Sequence, residues 1–161
     1  MTHLETLIAE YLDWQGYLVR RNKKVGRLKH GGWEVELDIV AYHPKSQDLG
    51  HYEPSIDAIG WTKREARYRK KFDAGRKHIF VDIFPWRPKT MPLNQFAVFV
   101  DHPRNRHHIA GGTIRSIDEM MAEIRKEVTC CGKMSKNAIA EQYPLLRTLQ
   151  LSHSGYYKVI P

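Results

Sequence analysis

The sequence predicts an α/β protein, because helical and strand periodicities alternate along it. An amphipathic helix comes first, three strands separated by turn residues follow, and a second helix precedes a buried strand. With 161 residues, 42% of them hydrophobic, one sizeable core can hold such an arrangement without disulfide or metal staples. A single domain over 1–161 is expected, with 1–110 as its core and 111–161 as a helical extension packed on it.

Leu4, Leu7, Ile8, Tyr11 and Leu12 recur at helical spacing, a helix that ends near Gly16. On that wheel Glu5 borders the apolar stripe and Glu10 falls on the water side. Tyr17 to Leu28 reads as a strand, Gly31-Gly32 as a turn, and Trp33 to Tyr42 as a second strand with Val35, Leu37 and Ile39 on one face. Pro44 to Gln47 is turn chemistry, and the third strand, Leu49 to Glu53, is stopped by Pro54. Thr62 and Glu65 have capping-box spacing, so a helix is expected from there to about Gly75. His78 to Phe84 fits strand and helix equally, and Pro85 closes it.

Gln95 to Asp101 is a buried strand. Ser116 suits the N-cap of a helix through Glu127, with Ile117, Met120, Met121 and Ile124 as its apolar stripe. A further helical region over 135–151 is interrupted at Pro144, with Leu145, Leu146, Leu149 and Leu151 expected to pack on the sheet. Tyr156 to Ile160 suggests a last short strand.

Charge narrows the class of partner. Lys and Arg number 26 against 18 Asp and Glu, a formal net charge of +8. Arg20, Arg21, Lys23, Lys24, Arg27 and Lys29 have no acid among them, and a second basic block runs from Lys63 to Lys77. Within that block Arg64, Arg67 and Lys71 join the first group as candidate contacts to the phosphates of DNA. The competing explanation is a solvated helix face that aids solubility. There is no apolar run of about 18 residues and no signal-peptide pattern, so a cytoplasmic protein without a membrane partner is expected. Cys130 and Cys131 are adjacent, poor geometry for a mutual disulfide. A loop with His102, His107 and His108 beside Arg104 and Arg106 could touch phosphate, although exposed loop histidines usually have no chemical task.

The acids of the second and third strands need an explanation. A hairpin centred between Lys45 and Ser46 pairs residues whose numbers sum to 91, which sets Asp38 opposite Glu53 and Glu36 opposite Ser55. Opposed side chains have Cβ atoms about 5 Å apart, and like charges at that spacing repel unless something positive lies between them. A divalent cation such as Mg2+ or Mn2+, held by one or two carboxylates, is one answer. The other is that Glu34, Glu36, Asp38 and Glu53 decorate a solvent face neutralised by nearby Lys or Arg.

Glu5 to Tyr17, Arg21-Asn22, Glu36-Leu-Asp-Ile-Val-Ala41 and His51-Tyr-Glu-Pro-Ser55 together resemble the PD-(D/E)XK nuclease superfamily, and most of all its Holliday-junction-resolvase-like branch. The resemblance covers about residues 5–75. It implies a restriction-endonuclease-like core, αβββαβ, with a mixed sheet flanked by helices. It also implies a Mg2+-dependent deoxyribonuclease, possible as a homodimer, in which Asp38 and Glu53 hold the ion and Glu5 binds it through water or positions a second one. Ser55 departs from the pattern, because the superfamily places a lysine there. Lys63 or Lys70 of the next helix could supply the missing ammonium; otherwise the chain is a DNA-binding module of the same fold that does not cut.

Overall fold

The structure, a computed structural model, describes residues 2–100, 102–103 and 105–153. Helix α1 (His3–Trp14) starts behind Thr2, whose hydroxyl accepts the Glu5 N–H. Strands β1 (Leu18–Arg27), β2 (Trp33–Tyr42) and β3 (Leu49–Ser55) follow, then α2 (Trp61–His78), which continues as a π-helical turn over Ile79–Ile83. The chain goes on through β4 (Asn94–Phe99), β5 (His108–Ile109), β6 (Gly112–Ser116), α3 (Ile117–Cys130), α4 (Met134–Asn137) and α5 (Pro144–His153).

The six strands form one open mixed sheet in the order β1-β2-β3-β4-β6-β5. β1, β2 and β3 are antiparallel neighbours, β4 runs parallel to β3, and β6 runs parallel to β4. On one face Ile8, Leu12, Met120, Ile124 and Leu146 of α1, α3 and α5 share one core with Ile39, Ala41, Tyr52 and Val98 of the sheet, α5 meeting α1 and α3. On the other, α2 and the π turn bring Tyr68, Phe72, Ala74 and Ile79 against Val40, Tyr42, Leu49, Ala97 and Phe99. Each fully buried Leu, Ile, Val, Phe or Met among them contributes about 1.5–3 kcal/mol, so burial on both faces fixes which way every central-strand residue points. Among the described residues no helix is long and apolar enough to cross a membrane.

Several expectations are corrected. Val35, Leu37 and Ile39 do not share one face: Val35 and Leu37 pack with Val40 and Tyr42, whereas Ile39 joins the opposite cluster. The alternation slips beside Asp38, level with Asn22, which adopts φ +49° where a short polar side chain tolerates the left-handed region. α2 begins at Trp61 with Gly60 as its N-cap, a residue with no side chain to cap it, which leaves Thr62 inside the helix and Glu65 bound to Arg69 and the Ala110 N–H. It also runs past Gly75. That glycine is a packing position, since a Cβ there would lie 2.6 Å from His51 Nδ1.

Residues 79–83 are neither strand nor α-helix but a π turn. The boundary at residue 110 falls inside the β5–β6 hairpin, so the sheet extends past it. Pro144 starts α5 rather than interrupting a helix, at a position where its missing N–H is no loss. Leu146 is fully buried, and Leu145 and Leu149 pack at its edge. Glu10, placed on the water side by the helical wheel, is 4% exposed, because its carboxylate accepts the Leu145 and Leu146 N–H groups at 3.0 and 3.3 Å and caps α5. The strand expected at 156–160 and the residue Asp101 lie outside the described residues.

A candidate carboxylate and lysine site

Local register brings the two acids together. The β2–β3 ladder runs Tyr42↔Leu49, Ala41↔Gly50, Val40↔His51 and Ile39↔Tyr52, so every pair sums to 91. Beyond Ile39 the backbone ladder gives way: the Asp38 N–H donates to Glu53 Oε1 at 3.1 Å instead of to a strand carbonyl. Pro54, which has no N–H to offer, follows at once. The strands therefore end their pairing where the acids sit.

Between the carboxylates lies an ammonium. Lys71 Nζ, from the middle of α2, donates to Asp38 Oδ1 at 2.7 Å and to Glu53 Oε2. Lys63 and Lys70, by contrast, are exposed, and among the described residues neither reaches Asp38 or Glu53. Helix geometry explains the choice. Tyr68, Phe72 and Gly75 turn toward the sheet and Lys71 borders their stripe, whereas at about 100° per residue Lys63 and Lys70 fall on the far side of the helix. A lysine set among the inward residues of an otherwise basic helix was the signal available in the sequence.

Burial dominates the electrostatics. It raises the Asp38 carboxyl to about 7, with Glu53 pushing the same way and Lys71 opposing. Burial raises Glu53 too, against the pull of Lys71 and the Asp38 N–H. Lys71 is lowered by its own burial, but the two carboxylates outweigh this and leave it raised, so it stays charged.

Glu53 is held from behind as well. His51, two residues earlier and so on the same face of β3, places Nε2 2.8 Å from Glu53 Oε1. Its Nδ1 lies 3.0 Å from Gln95 Nε2, and Gln95 is the second residue of β4. Burial, with the Lys71 charge adding to it, lowers His51 to about 3 and keeps it neutral. The Tyr68 hydroxyl donates to the Glu53 carbonyl at 2.9 Å, tying β3 to α2. Neither His51 nor Gln95 was singled out from the sequence, because a polar residue in a strand discloses its partner only when the neighbouring strand is placed.

The other expected residues divide. Glu5 is buried at 8% exposure, but its carboxylate accepts the Thr2 hydroxyl at 3.0 Å as part of the α1 start. Among the described residues no three His, Cys, Asp or Glu side chains gather as a metal-holding group, so Glu5 does not complete a triad with Asp38 and Glu53. Asp38 and Glu53 are the two carboxylates that could hold a cation here, and Mg2+ takes one or two protein carboxylates when water and phosphate fill the rest of its shell.

Ser55 accepts the Asp57 N–H at 3.2 Å where β3 ends. Arg67 pairs with Asp57, and Arg64 lies 4.5 Å from the Phe99 ring centroid and donates to the Asp57 carbonyl. Arg20, Lys23, Lys24, Arg27 and Lys29 are exposed and Arg21 is half-buried; all but Lys29 lie on β1, an edge of the sheet. Basic residues on such an edge also discourage strand addition by another chain.

No protein-family model, no curated protein and no solved structure matches the chain.

Proposed function

We propose that the chain is a Mg2+-dependent deoxyribonuclease with a restriction-endonuclease-like core. The observation that carries this reading is the pair Asp38 and Glu53, opposed across two strands and sharing the Lys71 ammonium. The element order, helix, three antiparallel strands, helix and a strand parallel to the third, agrees with it.

Asp38 and Glu53 are the residues that would hold the ion. The chemistry supplied by Mg2+ at such a pair is polarisation of the phosphate and activation of water. Lys71 stabilises the negative charge that develops on the phosphate, the task that the lysine absent at Ser55 would otherwise perform. Arg64 and Arg67 of the same helix and the basic edge strand β1 neutralise flanking phosphates, which makes binding steeply salt-dependent. A raised Asp38 carboxyl suits the reading too, since a cation bound there would offset the burial that raises it and the Glu53 charge that adds to the rise.

The test is cleavage of plasmid, linear and branched DNA by the wild type and by Asp38→Asn, with and without Mg2+. Loss of cleavage in Asp38→Asn and on chelation is expected. Equal cleavage by both proteins sinks the proposal.

A further inference from the structure

The polar chain behind Glu53 has a direction that its partners determine. Gln95 Nε2 lies 3.0 Å from the Phe72 carbonyl, which can only accept, and Arg76, which can only donate, reaches Gln95 Oε1. These two contacts fix the amide's orientation. The second hydrogen of Gln95 Nε2 therefore points at His51 Nδ1, 3.0 Å away, and that nitrogen must accept. A neutral imidazole that accepts at Nδ1 carries its proton on Nε2, which faces Glu53 Oε1 at 2.8 Å.

We infer that His51 is a positioning residue, locked by Gln95 and Arg76 as the Nε2–H tautomer so that it donates to Glu53 Oε1 and leaves Oε2 as the oxygen offered to a cation. The inference rests on the proposed function for the cation's role and on hydrogen-bond geometry for the tautomer. Glu53 Oε1 then receives two donors, the Asp38 N–H and the His51 Nε2–H, while Oε2 faces Lys71. With Oε1 saturated, the carboxylate cannot rotate without losing both bonds. Gly75 is what lets α2 come close enough, because the nearest atoms to a Cβ there would be His51 Nδ1 and Cε1 and Gln95 Nε2, all within 2.9 Å. Outer partners that orient a ligating carboxylate typically change metal affinity by about 10–100-fold when removed.

Two measurements separate this inference from the nuclease reading. The first is the His51 tautomer, read from two-bond proton–nitrogen correlations of the imidazole in the metal-free wild type. A protonated Nε2 with an unprotonated Nδ1 is expected, and the opposite tautomer overturns the inference whatever the protein cuts. In Gln95→Leu the Glu53 carboxylate still favours the proton on Nε2, but Nδ1 loses its donor and its nitrogen resonance is expected to shift toward that of an unbonded Nδ1; an unchanged Nδ1 resonance overturns the locking role of Gln95.

The second is calorimetric titration with Mn2+. His51→Gln keeps an N–H at the Nε2 position and is expected to bind within about threefold of wild type, whereas His51→Leu binds about 10–100-fold more weakly. Equal affinity in all three proteins, or equal loss in both variants, overturns the positioning role. If the wild type itself neither takes up Mn2+ nor cuts DNA, the nuclease reading and the cation-facing role of Glu53 Oε2 both fail, while the tautomer measurement still decides the direction of the chain.

Discussion

Replacing Lys71 with methionine keeps most of the side-chain stem and removes the one positive charge between two buried acids. The side chains of Lys71 and Asp38 are each 13% exposed and that of Glu53 is 1% exposed, so solvent screens little of the loss. Removing one partner from a buried ion pair costs about 3–5 kcal/mol, because the charge left behind has neither water nor a counter-ion. For a chain of 161 residues this corresponds to a fall in Tm of about 6–20 °C.

The loss depends on pH in a direction that can be worked out. Without the ammonium, both carboxyls keep folded-state pKa values above their unfolded ones, so the folded variant binds more protons than the unfolded chain across that interval. Stability is then present at low pH and lost as pH rises. A proton takes the ammonium's place in acid and leaves again in base. Urea denaturation should therefore show a larger deficit near pH 8 than near pH 5.5, and adding Asp38→Asn to Lys71→Met should recover more than half of it. A deficit below about 1 kcal/mol near pH 8, or one that does not shrink in acid, would show that Lys71 does not hold these carboxylates apart.

Further outcomes follow from the same geometry. Asp38→Asn removes a carboxyl raised from 3.8 to about 7, so its stability relative to wild type should climb by up to about 4 kcal/mol as pH rises through that interval; parallel melts from about pH 4 to 8 check this, and a flat difference contradicts it. Gly75→Ala should destabilise by about 1–3 kcal/mol despite alanine's better helix propensity, because the new methyl meets His51 Nδ1 at 2.6 Å, and a denaturation midpoint at or above wild type counts against it. Glu10→Ala should cost about 1–3 kcal/mol and raise amide exchange at Leu145 and Leu146, the two N–H groups it caps. Lys63→Ala and Lys70→Ala should each cleave DNA within about threefold of wild type, whereas Lys71→Met should lose at least about 100-fold; the reverse order would move the ammonium's role back to the exposed lysines.

What could be read from the chain and what could not is divided by the distance over which each feature is decided. The opposition of Asp38 and Glu53 was legible because a tight turn sets hairpin register and side chains alternate with period two, both of which are local. The helices were legible as stretches, but not the faces they present. Glu10 looked solvent-facing until α5, more than 130 residues further along, brought unpaired N–H groups to it. Charge alone does not tell Lys71 from Lys63 and Lys70; its spacing from Tyr68 and Phe72 is a local signal, and what that stripe meets is decided only when α2 packs on the sheet. His51 and Gln95 belong to different strands paired in parallel across a long crossover, a register that no local turn dictates. Local chain geometry alone brought the two acids together, and tertiary packing supplied the ammonium between them and the imidazole behind them, because only packing determines which distant polar groups share a space closed to water.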